Sequence, residues 1–176
     1  MVAFAILLLS VLAPRQKVTE LGIGSEGLVG ATIAVPIALG AAAIILLVAW
    51  KLGTLRGLYG VYPAPWHAVF YAIWAFEQQF ILNSFFYRRF EALMGDNTGT
   101  ALVTALIFSL VHMPNPVLVP ATFIGGLFFV EVFRRWRNIY PLAIAHAMLG
   151  LALAMAFPGP WIRHMRVGLG YLTFRG

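Results

Sequence analysis

The chain has 176 residues, of which 61% are hydrophobic and 10% charged, with a net charge of +6. Soluble domains average about 45–50% apolar and about 25% charged residues, so a water-soluble fold of this size could not cover its apolar side chains, and the bilayer is the natural solvent. The absence of cysteine excludes disulfides, thiolate metal sites and cysteine nucleophiles, and the basic residues stand beside apolar runs (Arg15/Lys17, Lys51/Arg56, Arg88/Arg89, Arg134/Arg135/Arg137, Arg163/Arg166), as headgroup anchors rather than as a nucleic-acid surface.

The expected fold is all-α: a polytopic membrane helix bundle of about six spans, forming a single membrane domain over residues 1–176. Residues 1–14 are apolar but short and end at Pro14. Without a basic leading region or a cleavage site they read as a short span or interfacial helix rather than a signal peptide. Residues 15–26 form a loop. Residues 27–50 are the cleanest span, rich in the small residues that allow close helix packing, with Pro36 as a candidate kink. A loop over 51–65 leads to an interface marked by Tyr62 and Trp66. The third span, 66–87, contains Glu77, Gln78, Gln79, Asn83 and Ser84 and is closed by Arg88 and Arg89. After a turn at 95–100, spans follow at 101–113, 117–133 and 140–157. They are punctuated by Pro114-Asn115-Pro116, by Arg134/Arg135 and by Pro158-Gly159-Pro160, and the tail from residue 161 is basic and glycine-rich.

The informative residues are the polar ones inside the spans. Glu77 lies about eleven residues from either end of its span, and an ionisable group at that depth costs roughly 2.5–3.5 kcal/mol on insertion scales. His112 and His146 occupy two further spans. If the three converge, a carboxylate to take a proton, an imidazole to orient water and a donor for the oxyanion make up the equipment of general-base hydrolysis. The same three could ligate a divalent metal, but no H-E-x-x-H pair is present and no metal or cofactor is assigned. Each residue also has a plainer role: Glu77 as a protonated, hydrogen-bonded carboxyl, His112 and His67 at an interface, His146 as a satisfied core histidine, and His164 at headgroups. In the same vein Asn83 and Ser84 join helices, and Glu131 pairs with Arg135 at i,i+4. In an unbroken α-helix Glu77, Ser84 and Arg88 share one face.

The run Glu77-Gln78-Gln79-Phe80-Ile81-Leu82-Asn83-Ser84-Phe85-Phe86-Tyr87-Arg88-Arg89 resembles the first motif of the CPBP family of glutamate-type intramembrane proteases, which includes the type II CAAX prenyl endopeptidases. That motif is a Glu-Glu pair, three residues and an Arg, before a helix end with basic residues. Phe108-Ser109-Leu110-Val111-His112 matches the F-x-x-x-H motif. Gly125-Gly126 through Ala145-His146-Ala147 is similar to the third region, where a histidine is followed four residues later by Asn. The resemblance covers about residues 65–157.

This resemblance implies an intramembrane endopeptidase that hydrolyses a peptide bond of a membrane-associated protein. Glu77 would activate water, His112 would be its partner and His146 would stabilise the oxyanion, with no covalent intermediate and no obligatory metal. The expected location is a bacterial inner (cytoplasmic) membrane, crossed several times. Gln78 stands where the second glutamate is usual, Leu82 where the arginine is, and Gly150 where the Asn is. Loss of an oxyanion donor costs roughly a hundred- to a thousand-fold; Gln78, Asn83 and Asn115 are candidates to replace it, with Ser84 a further supporting polar group. The same departures define the alternative, a non-catalytic membrane scaffold or subunit of a larger membrane complex, able to hold a hydrophobic cofactor. A proton-relay transporter built on Glu77 is disfavoured by the lack of an internal repeat.

Overall fold

The computed structural model describes Leu9, residues 19–61 and residues 64–174. Apart from Leu9, the apolar segment expected at 1–14 lies outside the described residues, as do Arg15, Lys17 and Tyr62. Among the described residues all regular structure is helical.

Helix α1, Leu28–Lys51, is built from two pieces that meet at Thr32 and Ile33. Pro36 stands in the first turn of the second piece, where a missing N–H costs little; the irregularity lies before the proline rather than at it. Ala31, Ala34, Ala38, Ala42 and Ala49 are buried, while Ile37, Leu39, Ile44, Leu47 and Trp50 are exposed. Small residues inside and large apolar ones outside are the reverse of a water-soluble helix and suit a helix that packs closely on one side and meets lipid on the other.

Helix α2, Pro65–Gln79, begins on a proline in its first turn and runs directly into a π-helical segment, Phe80–Tyr87, and then into α3, Arg88–Met94. The helix therefore does not close at Arg88 and Arg89. Helix α4, Thr98–Leu110, is capped by Asn97, whose side chain accepts from the Thr100 N–H at 3.0 Å. Helix α5, Leu118–Trp136, and helix α6, Tyr140–Ala156, follow. The C-terminal carbonyls of α6 are met by Arg56, which donates to Ala154 and Phe157 at 2.6 and 2.8 Å. Helix α1 packs along α6, α4 along α5, and α2 along α6. Gly126 lets α5 approach α4, since a Cβ there would already touch Phe108 at 3.4 Å and Ala105 at 3.6 Å.

Of the six expected spans, α1 alone among the described helices is both long and apolar enough to cross a membrane, with 24 residues of mean hydropathy 2.5. The reason is length and charge. The 13 residues of α4 and 17 of α6 rise about 1.5 Å each, short of a hydrocarbon core of about 30 Å. Helix α5 is longer but carries Glu131, Arg134 and Arg135 in its last turns.

One end of the bundle is held by charge. Arg88 bridges Glu20 and Glu91, Arg137 bonds Glu91, and Arg134 joins Asp96 at 2.6 Å to Glu131 at 2.7 Å. Glu131 thus pairs at i,i+3 with Arg134 rather than with Arg135. The loop before α1 is sewn to this end by Asn138, which donates to the carbonyls of Gly24 and Glu26, and by Ser84, whose hydroxyl donates to Leu21 at 2.5 Å. Gly27 sits at φ +67°, and a Cβ there would lie 1.5 Å from the Trp136 carbonyl oxygen.

Two outcomes follow for the detergent-solubilised protein. Gly27→Ala is expected to lower the thermal unfolding midpoint, at a cost of about 1–3 kcal/mol for the strained conformation alone; Gly40→Ala, with nothing within 4 Å, is expected to leave it unchanged or raise it. The Arg134 hydrogen bond, with help from the Tyr87 hydroxyl at 2.8 Å, holds the Asp96 carboxyl below its ordinary range. A carboxyl depressed on folding stabilises above its unfolded pKa, about 3.9, and that stability is lost as pH falls through the lower folded value. Asp96→Asn is therefore expected to lower the midpoint at pH 7 and to flatten its decline below about pH 4, as read by circular dichroism.

Candidate functional site

Residues 77–89 do not keep one face. In a π-helix the backbone bonds run to the fifth residue instead of the fourth, so each turn holds an extra residue and the faces rotate. Ser84 and Arg88 nonetheless stay on one side, reaching adjacent residues of the loop before α1, and Glu77 is half-buried. Ser84 turns to the loop at Leu21 and Arg88 to Glu20 and Glu91, while Gln79 and Asn83 point inward and are fully buried.

Between α2, the π-helical segment, α4, α5, α6 and residues 164–167 lies a cavity of about 670 Å³. The chain has 4 histidines, and all of them, His67, His112, His146 and His164, line it. The sequence pattern assigned His67 to an interface and His164 to headgroups; both are exposed and sit on this cavity. Phe70, Trp74 and Val111 line it too and are exposed, so it opens to the outside of the bundle. Among the described residues no Asp, Glu, Lys or Arg lines it.

Of the expected site residues, Gln78, His112 and His146 are brought together on this cavity. Tyr71, Trp74, Gln78 and Ile81 form the stripe that faces it. Glu77 is half-buried on the adjoining side of α2 and is not among the lining residues. Asn83 and Ser84 are buried away from the cavity wall. Asn115 spends its side chain on structure: its oxygen accepts from the N–H groups of Val117 and Leu118 at the start of α5, and its amide donates to the carbonyls of Ile162 and Arg166, both at 3.0 Å. It thereby fixes the segment that brings His164 and Met165 to the cavity.

The two central imidazoles are buried and oppositely arranged. His112 Nδ1–H donates to the Phe108 carbonyl at 2.8 Å; a carbonyl can only accept, so the proton is on Nδ1 and Nε2 is left as an acceptor. His146 Nδ1 accepts from the Gln79 amide at 2.9 Å, and the Gln79 oxygen accepts from the Asn83 amide at 2.8 Å. That leaves His146 Nε2 carrying the proton, as a donor. The Phe129 ring stacks on His146 at 5.5 Å, and Phe108 meets His112 edge-on at 5.0 Å. One acceptor and one donor on a largely aromatic cavity can hold a water or a carbonyl-bearing ligand. Among the described residues no three His, Asp or Glu side chains are close enough to hold a metal ion.

Gln79 is the residue that sequence reasoning passed over. Its signal was the i,i+4 spacing to Asn83, obscured because neither residue is ionisable. In 15N-resolved spectra His112 is expected as the Nδ1–H tautomer and His146 as the Nε2–H tautomer, and Gln79→Leu is expected to abolish the preference at His146 alone.

No curated protein and no solved structure matches the chain. A family model does: that of the type II CAAX prenyl endopeptidase Rce1-like proteins, over residues 60–152. The match spans more than half the chain and takes in α2 to α6 up to and beyond both central histidines, so the chain belongs to this Rce1-like family, a family of membrane proteases.

Proposed function

We propose that this chain uses the family fold to bind a prenylated, strongly apolar peptide at the cavity and to hold it there without hydrolysing it. The observation that carries this reading is that, among the described residues, no carboxylate lines the cavity. General-base hydrolysis needs a group within hydrogen-bond reach of the attacking water that can take its proton. Glutamate-type hydrolysis needs that group to be a carboxylate; Gln78 lines the cavity instead, and an amide cannot serve.

The register of the hydrogen-bonded amides supports the same view. The family motif places its second glutamate and its arginine four residues apart. In this chain the hydrogen-bonded pair with that spacing is Gln79 and Asn83. Moving the motif by one residue puts its glutamate pair on Gln78-Gln79 and its arginine on Asn83, with apolar Leu82, fully buried, among the three residues between. All three ionisable positions then carry neutral amides, a concerted loss of charge that keeps the hydrogen-bonding shape. In the bilayer, α1 crosses fully and the shorter helices pack around the cavity, with the charged end at the headgroups.

The second reading is a peptidase in which Glu77 activates water, His112 assists and His146 stabilises the oxyanion. Family membership and the unprotonated His112 Nε2 favour it, but it needs α2 to turn Glu77 into the cavity.

A fluorescent farnesylated peptide in detergent micelles separates the two. Saturable binding with no cleavage is expected for the native protein, and His146→Ala and Gln79→Leu are each expected to weaken binding by about 3- to 10-fold, the worth of one hydrogen bond. Cleavage by the native protein that stops in Glu77→Gln would sink the proposal and establish the peptidase.

A further inference from the structure

On α6, Gly150 follows His146 by one turn, and both line the cavity. A Cβ built on Gly150 would lie 1.7 Å from the Tyr71 hydroxyl oxygen, 2.7 Å from its Cζ and 3.1 Å from its Cε1. No side chain larger than hydrogen fits at position 150 while Tyr71 keeps its place. Tyr71 comes from the facing helix α2, seven residues before Gln78 on the same stripe, and it too lines the cavity. The space that a side chain at 150 would fill is therefore filled from across the cavity by a phenol.

We propose that Tyr71 is a ligand-contacting residue that selects what binds at the His146 end of the cavity. Its hydroxyl stands in for a polar side chain at position 150 and hydrogen-bonds the head of an apolar ligand beside His146. A phenol oxygen offers one donor and two acceptor sites, so it serves a ligand as well as a protein neighbour. The chemistry of the lining sets the ligand class. The polar groups at this end, Tyr71, Gln78 and His146, are uncharged, and among the described residues no lysine or arginine lines the cavity. A buried charge without a partner is far costlier than a buried dipole with one. The head group is accordingly neutral, an ester or amide carbonyl, rather than a carboxylate or phosphate.

This inference rests on the ligand-binding reading above, and the test separates the two. Three fluorescent or fluorogenic probes are titrated into the full-length protein in micelles: farnesyl-cysteine methyl ester carrying a fluorophore, the same compound as the free acid, and diphenylhexatriene, which has no polar head. The native protein is expected to bind the ester at least about tenfold more tightly than the acid, the scale of burying an unpaired charge against a paired dipole. Tyr71→Phe is expected to weaken the ester about fivefold and to leave diphenylhexatriene unchanged, whereas a merely structural role would move both. Gly150→Ala, which displaces the hydroxyl, is expected to repeat the Tyr71→Phe result. If the native protein binds the ester and either variant binds it equally well, the assignment to Tyr71 is overturned while the ligand-binding reading stands. Tighter binding of the acid also overturns it. If the native protein binds no probe, both fail.

Discussion

The His146 ring is buried within an apolar helix bundle, and a buried polar nitrogen left without a partner costs more than its hydrogen bond returns. Gln79 supplies the partner and Asn83 supplies the partner of Gln79, a chain of bonds at 2.9 and 2.8 Å. Much of the arrangement around the cavity serves this requirement. Gln79, the last residue of α2, and Asn83, four residues on, face inward, while Ser84 and Arg88, likewise four apart, reach the loop before α1 and the charged end.

The same bonds decide the chemistry. By taking its Nδ1, Gln79 makes His146 a donor at Nε2, while the Phe108 carbonyl makes His112 an acceptor at Nε2. This complementary pair suits a dipole, water or carbonyl. On the proposed reading, the family fold keeps the shape of a binding site, with amides standing where a carboxylate would take the proton of water. The cavity reaches the outside of the bundle between Phe70, Trp74 and Val111, which is where an apolar chain would enter from lipid.

The outer face of the molecule obeys a different constraint. With no hydrophobic gain available between helices in lipid, contact depends on close fit. Alanines at 31, 34, 38 and 42 and the glycine at 126 let the helices approach. Where water is available, at the charged end, arginine–carboxylate pairs and carbonyl-capping amides take over; individually such exposed pairs contribute little, and together they set where the loop before α1 sits.

Composition and apolar runs made legible an all-helical chain, its cleanest span and two histidines placed within apolar helices, because the cost of placing such groups among apolar residues is a local property of the chain. The family resemblance was legible for the same reason. What they could not tell is which neighbour of a polar residue faces the cavity. Glu77 carries the charge and draws attention in the sequence, yet the residue on the cavity is Gln78 and the one holding His146 is Gln79. Nor could spacing bring His67 and His164 to the same wall as His112 and His146, or seat the Tyr71 hydroxyl against Gly150. Those outcomes depend on contacts between residues far apart in the chain, so only the tertiary structure decided them.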